Sequence, residues 1–258
     1  MSLITVSEDT VINTSVAPRL DAEGNKQGSV VAMEDISDVS KVKNTFKRYV
    51  SKQVVDELLG DDGKLNLGGE QRDVTILFTD IRGFTSMSEK MKPERVVTTL
   101  NEYFSDMIDI VFKNNGTLDK IIGDELMVLY GAPISGENDT HRAVETAIEM
   151  QQKIKELNTD RKKRNEPPIL VGAGINRGLV VSGNIGSRDL MDYTVIGDTV
   201  NVASRLCAAA GPGEIMVSSS VYGATKKDFP YNKLEPISVK GKARRVPVFL
   251  IGDKTQKD

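Results

Sequence analysis

Residues 117–130 read TLDKIIGDELMVLY, and this run places a tight constraint on the fold. It contains two apolar segments, Thr117–Ile122 and Glu125–Tyr130, which are separated only by Gly123 and Asp124. A two-residue connection that contains glycine is typical of a tight β-hairpin. We therefore predict two antiparallel strands with Asp124 at the tip of their turn.

The segments on either side of this hairpin alternate between strand-like and helix-like patterns of apolar residues. In chain order we predict a buried strand at 74–79, a helix at 93–113, the hairpin, a helix at 139–158, a strand pair at 169–175 and 179–183, a short helix at 199–209 and a last strand at 247–251. This order predicts an α+β fold in which helices cover one face of a sheet.

The beginning of the chain is organised differently. Two strand-like runs, 10–18 and 28–35, flank the turn-rich residues 21–25, and this pattern predicts a hairpin. A segment of this length cannot bury a core of its own. We interpret 1–36 as a fragment of an upstream sensor domain, because it resembles the closing hairpin of PAS-type domains.

Residues 37–63 are predicted to form a connector helix followed by a turn. Apolar side chains recur at three- or four-residue spacing and stop at Gly60-Asp-Asp-Gly63; they are Val39, Val42, Phe46, Val50, Val54 and Leu58. Such a helix either pairs with a second copy or packs on its own domain, and the pattern leaves both open. The main domain then occupies 64–258.

Composition excludes several classes of protein. The chain has 258 residues, of which 39% are hydrophobic and 28% charged, with a net charge of −3, so a dedicated nucleic-acid or membrane-surface binder is disfavoured. The single cysteine (Cys207) and single histidine (His141) exclude disulfide frameworks and zinc sites rich in these residues. Residues 1–10 do not have the pattern of a secretory signal, so we expect a cytoplasmic protein.

Two aspartates are candidates for a metal site. Asp80 ends the apolar strand 74–79, and Asp124 lies at the hairpin tip. If these strands are neighbours, both carboxylates leave the same edge of the sheet. Hard oxygen ligands of this kind suit Mg²⁺ or Mn²⁺, which take their remaining ligands from water and substrate phosphates. The pair therefore indicates a nucleotide substrate.

Asn201 and Arg205 are four residues apart on the helix predicted at 199–209, so they lie on the same face. A guanidinium group is well suited to hold phosphoryl oxygens while charge develops on them. Taken alone, such a pair is more often ordinary surface than a catalytic feature.

Three motifs together resemble the class III adenylate/guanylate cyclase catalytic domain: residues 78–85 (FTDIRGFT), 120–124 (KIIGD) and 193–205 (YTVIGDTVNVASR). The likeness extends over about 70–252. The upstream part looks like that of the sensor-linked adenylate cyclases of cyanobacteria. The resemblance implies a ferredoxin-like, palm-type antiparallel sheet with helices on one face, preceded by a connector helix.

The resemblance also implies a reaction and a metal site. Asp80 and Asp124, with the carbonyl of Ile81, would hold two Mg²⁺ (or Mn²⁺) ions. The 3′-hydroxyl of ATP would attack the α-phosphorus in line, giving 3′,5′-cyclic AMP and pyrophosphate. No carboxylate or histidine is an obvious general base, so the hydroxyl proton would leave to solvent or phosphate.

Further roles are implied for residues that touch the substrate. Arg205 would stabilise charge on the α-phosphate in the transition state, and Asn201 would orient the ribose. Lys240 would bind the β- and γ-phosphates, with Lys242 as the weaker candidate for this role.

Lys120 and Thr194 stand at the positions that select the base in this family. Lys120 donates a hydrogen bond and the Thr194 hydroxyl can accept one, which suits adenine. Guanylate cyclases carry Glu and a small residue or Cys there, and adenylate cyclases more often have Asp at the second position. A hydroxyl can also donate, which weakens the rejection of GTP. Threonine there marks a subgroup often stimulated by bicarbonate, which we carry over as an expected activator.

In the family, metal-binding residues come from one subunit and base-binding residues from the other. This chain has both sets, so we expect a head-to-tail homodimer with two composite sites. The alternatives are a guanylate cyclase, which Lys120 disfavours, and a catalytically inactive regulatory module. An RRM-type RNA-binding domain is disfavoured by the 5% aromatic content, and the absence of a P-loop motif excludes a P-loop NTPase.

Overall fold

The computed structural model describes residues 10–46, 68–187, 190–238 and 245–252. The chain divides into two compact units, Met1–Val55 and Asp56–Asp258. Within the described residues, no helix combines the length and apolar character needed to cross a bilayer.

The first unit contains a β-hairpin followed by a helix. Strands β1 (Ile12–Leu20) and β2 (Lys26–Asp35) pair antiparallel, and α1 (Ser37–Phe46) follows. The Asp21 carboxylate accepts the N–H groups of two turn residues, at 3.1 and 2.7 Å, which closes the turn. The predicted hairpin is therefore present. Its interpretation as part of a sensor domain stays a prediction, and residues 47–63 of the predicted connector lie outside the described residues.

The second unit is a mixed α+β domain. Its elements in chain order are β3 (Gly68–Ile81), α2 (Phe84–Ser88), α3 (Pro93–Lys113), β4 (Thr117–Ile122), β5 (Glu125–Tyr130), α4 (Asp139–Lys163), β6 (Val171–Gly186), β7 (Met191–Ile196), α5 (Asp198–Ala209), β8 (Ile215–Ser218), α6 (Ser219–Thr225), β9 (Tyr231–Lys233) and β10 (Val248–Ile251). In the described part of the chain, the strands form one sheet in the order β4-β5-β3-β6-β8-β10-β9, with β7 also paired to β6.

Both faces of the sheet are covered. Alternate residues of β3 point to opposite sides: Leu77 and Ile81 join the core beneath α3 and α4, whereas Ile76 and Phe78 join a second core that includes Cys207 of α5. The predicted α+β class is confirmed, but the helices do not all lie on one face. Helices α2, α3, α4 and α6 contribute to the first core, whereas α5 covers the opposite face. β3 is buried on both faces, which is why residues 74–79 read as an almost continuous apolar run.

Two further expectations need correction. The strand pair predicted at 169–175 and 179–183 is one strand, β6, which pairs with the whole of β3. The polar residues Asn176 and Arg177 resemble a turn in sequence, but they continue the β3–β6 ladder, opposite Ile76 and Thr75. The Asn176 side chain donates to the carbonyl of Thr199 in α5 at 2.9 Å. The sheet is also not wholly antiparallel, because β8 runs parallel to β6.

Candidate active site

The structure brings Asp80 and Asp124 together at one edge of the sheet. β5 pairs with β3, with Leu126 opposite Thr79, so the β4–β5 turn lies beside the end of β3. Gly123 supplies the positive φ of 66° that this turn requires. The N–H of Ile81 donates to Oδ2 of Asp124 at 3.2 Å, which ties the tip of the turn to β3.

The electrostatics of this edge are dominated by carboxylates. Burial, together with a hydrogen bond to and repulsion from Asp80, raises the pKa of Asp124 to about 6. Burial and the same two aspartates raise the pKa of Glu125 to about 7. The guanidinium of Arg82 compensates only in part, through an ion pair of 2.9 Å with Asp80. A divalent cation would relieve this excess of negative charge.

The donor set fits such a cation. The carboxylate oxygens of Asp80 and Asp124 are the hard ligands that Mg²⁺ and Mn²⁺ prefer. Within the described ranges, no group of three or more His, Cys, Asp or Glu side chains is arranged to hold a metal ion. The two aspartates thus leave most coordination positions to water, backbone carbonyl or substrate oxygens. Glu125 and Arg82 were not predicted, although they adjoin Asp124 and Asp80 in sequence. Only the folded structure shows that Glu125 is close enough to both aspartates for their charges to act on it and that Arg82 pairs with Asp80.

Lys120 and Thr194 form a second site. They lie on β4 and β7, 74 residues apart in sequence, yet Nζ of Lys120 donates to Oγ1 of Thr194 at 3.2 Å. The same ammonium group donates to Asp192 at 2.8 Å and lies 3.2 Å from Asp119. The Thr194 hydroxyl in turn donates to Oδ2 of Asp119 at 3.0 Å. The two predicted base-selecting residues are therefore in direct contact.

Asp119 was missed by sequence reasoning, and the local geometry explains why. Successive residues of a regular strand point to opposite faces, so Asp119 and Lys120 are not expected to share a site. The register of β4 against β5 shifts between Leu118 and Lys120. An irregularity of this kind redirects side chains, and here it brings both Asp119 and Lys120 to Thr194.

Helix α5 carries the other two predicted residues. Val202, Ala203, Leu206 and Cys207 are buried, and they fix which side of the helix faces the sheet. Asn201 is exposed and Arg205 is half-buried, and they lie one helical turn apart. The remaining predicted residues, Lys240 and Lys242, lie outside the described residues, so their role stays a prediction.

The family is now clear from comparison with known proteins. The profile described as the adenylate and guanylate cyclase catalytic domain matches residues 69–252. The chain belongs to this family, and the resemblance seen in its three motifs is confirmed.

Individual relatives include enzymes of both specificities. An adenylate cyclase of Anabaena cylindrica is 39% identical over 175 residues, which cover 65% of this chain and 34% of that protein. The adenylyl cyclase CyaB of P. aeruginosa is 36% identical with a TM-score of 0.70, over 74% of this chain and 98% of that one. The guanylyl cyclase Cya2 is 37% identical with a TM-score of 0.67, over the same shares. The chain spans about a third of the length of the curated relatives it matches.

Proposed function

We propose that this chain is an adenylate cyclase, which converts ATP to 3′,5′-cyclic AMP and pyrophosphate in signal transduction. The observation that carries the proposal is the contact between Lys120 and Thr194. It places a hydrogen-bond donor next to a possible acceptor, and adenine presents the complementary pair, its N1 acceptor and its 6-amino donor. Guanine presents the reverse pattern at N1 and O6.

The charge state of Lys120 supports the same substrate. Burial by itself would lower the pKa of Lys120, but the hydrogen bonds and charges of Asp192 and Asp119 outweigh it and raise the pKa. The side chain is therefore a permanent cation at neutral pH and can only donate. N1 of adenine would accept a hydrogen bond from this ammonium group in place of its contact with Asp192, whose side chain is 64% exposed. The N1–H of guanine needs an acceptor, which an ammonium group does not provide.

The chemistry would take place between the carboxylate pair and helix α5. Two Mg²⁺ or Mn²⁺ ions would be held by Asp80, Asp124 and the Ile81 carbonyl. When bound, these ions would lower the pKa of the 3′-hydroxyl and neutralise negative charge on the triphosphate. Arg205 would donate to the α-phosphate oxygens as charge builds on them, and Asn201 would orient the ribose.

We further propose that the active form is a head-to-tail homodimer with two composite sites. One chain carries both the metal-binding and the base-binding sets, so a two-fold axis would generate two complete sites from two identical halves. Bicarbonate activation remains part of the proposal and is tested by adding bicarbonate against chloride at fixed pH and sodium.

The first experiment measures cyclic nucleotide formation from ATP and from GTP, with Mg²⁺ or Mn²⁺. We expect cyclic AMP as the main product and its loss in Asp80→Asn. Asp73→Asn is the matched control, because Asp73 is also on β3 but pairs with Arg177 at 2.8 Å. A folded dimer that makes neither product would favour the inactive regulatory module, and an excess of cyclic GMP would favour the guanylate cyclase.

The second experiment tests the composite site. Asp80→Asn and Arg205→Ala proteins are inactive separately but, when mixed and allowed to exchange subunits, form heterodimers with one intact site each. Random exchange makes about half of the dimers heterodimers, and each heterodimer has one intact site out of two. About a quarter of wild-type activity should therefore return. If both residues act within one chain, mixing restores nothing.

A further inference from the structure

The hydroxyl of Thr194 has a defined polarity in the structure. It donates its proton to Oδ2 of Asp119 at 3.0 Å and accepts a proton from Nζ of Lys120 at 3.2 Å. A hydroxyl has one proton and two lone pairs. The proton and one lone pair are therefore used, and a single lone pair remains for a ligand.

Neither neighbour allows the hydroxyl to turn round. An ionised carboxylate has no proton to give, and an ammonium group has no lone pair to accept one. Rotating the Thr194 proton towards a ligand would break its bond to Asp119 and leave that carboxylate with one hydrogen-bond partner fewer. Because the Asp119 side chain has no exposed surface, water cannot compensate for the loss.

The polar contacts that the structure describes for the Asp119 side chain lie within this site. Its second oxygen, Oδ1, is buried and has no hydrogen-bond partner among the described residues. Within the same part of the chain, its polar side-chain contacts run through Oδ2, to Lys120 and Thr194. A buried carboxylate that is only half satisfied is costly, and a residue serving the scaffold alone would be replaced without loss by an apolar one.

We propose that Asp119 is a positioning residue for base selection: it holds the Thr194 hydroxyl as a hydrogen-bond acceptor, so that Thr194 takes the 6-amino group of adenine and repels O6 of guanine. This inference rests on the proposed adenylate cyclase activity and deepens it. Adenylate cyclases more often have an aspartate at this position, and its ionised carboxylate can only accept hydrogen bonds. The contact with Asp119 explains how a threonine hydroxyl can act as an acceptor in the same place.

The decisive variant is Asp119→Asn. The carboxamide has nearly the same shape, but it carries no charge and has a single accepting oxygen, for which Lys120 and Thr194 compete. This weaker acceptor holds the Thr194 proton less firmly, so the hydroxyl can turn and donate to O6 of guanine. We expect the ratio of kcat/KM for ATP over GTP to fall about tenfold or more, since one misplaced hydrogen bond of ~1.4 kcal/mol has that effect.

The matched control is Asp192→Asn. Asp192 also binds Lys120, at 2.8 Å, but its side chain is 64% exposed and its carboxylate is bonded to Lys120 rather than to Thr194. Removal of its charge should leave the ATP-over-GTP ratio within about twofold of wild type. An equal fall in both variants would mean that only the charge around Lys120 matters, and the inference would be wrong.

A double-mutant comparison isolates the route through Thr194. Thr194→Val removes the hydroxyl and lowers the ratio, and Asp119→Asn added to it should change the ratio no further. If Asp119→Asn lowers the ratio equally in the valine background, or lowers ATP and GTP turnover to the same extent, the inference is overturned.

Two further outcomes are kept apart. Should Asp119→Asn fail to fold, Asp119→Glu replaces it: the retained carboxylate keeps the ratio at its wild-type value even if total turnover falls, and a lowered ratio contradicts the inference. A wild-type protein that forms no cyclic AMP contradicts the proposed function itself. Wild-type cyclic AMP formation with an unchanged ratio in Asp119→Asn contradicts this inference alone.

Discussion

Gly174 of β6 lies directly against Cys207 of α5. A Cβ atom at Gly174 would be 2.7 Å from Cα of Cys207 and 2.6 Å from the carbonyl oxygen of Ala203. The helix backbone therefore rests on the strand with no room for a side chain between them. Because α5 also carries Asn201 and Arg205, this contact sets how far those two side chains stand from the sheet.

Gly174→Ala should consequently reduce both stability and turnover. The methyl group meets backbone atoms that cannot move aside alone, and overpacking of this kind costs about 1–3 kcal/mol or more. The displaced helix should also lower kcat in the fraction that folds. Gly223→Ala is the control: a Cβ there meets nothing within 4 Å, and the helical position of Gly223 in α6 predicts a small gain in stability. Urea unfolding and ATP turnover of both variants measure this, and equal stabilities would contradict it.

Much of the fold follows from local patterns. The hairpin of β4 and β5 and the helix α3 have the predicted limits, because a two-residue Gly-Asp turn and a 3.6-residue period are determined by adjacent residues. The three sequence motifs likewise point to Asp80, Asp124, Lys120 and Thr194. The fold places these residues in two pairs, as the motifs lead one to expect.

What could not be predicted depends on partners distant in sequence. The polar residues Asn176 and Arg177 suggest a turn in the sequence. In the fold their side chains bind Thr199 and Asp73, which are distant in sequence, and the strand continues through them. Asp119 reaches Thr194 only because the register of β4 shifts beside it. The raised pKa of Glu125 depends on its burial and on Asp80, which the fold brings close to it.

The carboxylate pair predicts a metal-dependent stability. The raised pKa of Asp124, about 6 against an ordinary 3.8, means that its ionisation is disfavoured in the folded state. Without metal, the free energy of unfolding should thus fall as pH rises from about 4 to 6, and this loss should persist at higher pH. Mg²⁺ or Mn²⁺ in excess over EDTA should raise the melting temperature at pH of about 7.5.

Asp80→Asn tests this, since it removes the repulsion. The variant should be at least as stable as the wild type in EDTA, should gain much less from added metal, and should lose about a hundredfold or more in kcat. Asp73→Asn should retain the metal-induced gain. Differential scanning calorimetry with and without Mn²⁺ measures this, and an Asp80→Asn protein stabilised as strongly as the wild type would exclude the pair as a metal site.

Arg161 predicts a purely structural effect. Its side chain is fully buried; Nε donates to the carbonyl of Pro167 at 2.8 Å and Nη1 lies 3.2 Å from Glu102. Arg161→Ala should destabilise the fold by about 2–4 kcal/mol, because it removes a large, fully buried side chain and leaves a cavity where its stem packed.

Arg164 provides the comparison for that substitution. It also binds Glu102, at 2.6 Å, but its side chain is 45% exposed, so Arg164→Ala should cost at most about 1 kcal/mol. Chemical denaturation gives the free energy of unfolding of the two variants. Comparing them shows whether the stabilising effect of these arginines comes from burial of the side chain or from its ion pairs. Equal losses would show that the ion pair alone matters, and turnover per folded molecule should be unaffected in both.

Conversion to a guanylate cyclase should require a third substitution. The family pattern suggests Lys120→Glu with Thr194→Cys, but the new carboxylate would lie beside Asp119, which has no exposed surface, and beside Asp192, with the neutralising ammonium group removed. Like charges at that distance disfavour ionisation, so the double variant should form little cyclic GMP.

Adding Asp119→Asn removes the buried charge and should increase GTP turnover, whereas adding Asp192→Asn, at a 64% exposed position, should increase it far less. Cyclic GMP formation by the double variant and both triple variants measures this, and a fully active double variant would show that Asp119 does not constrain the base site.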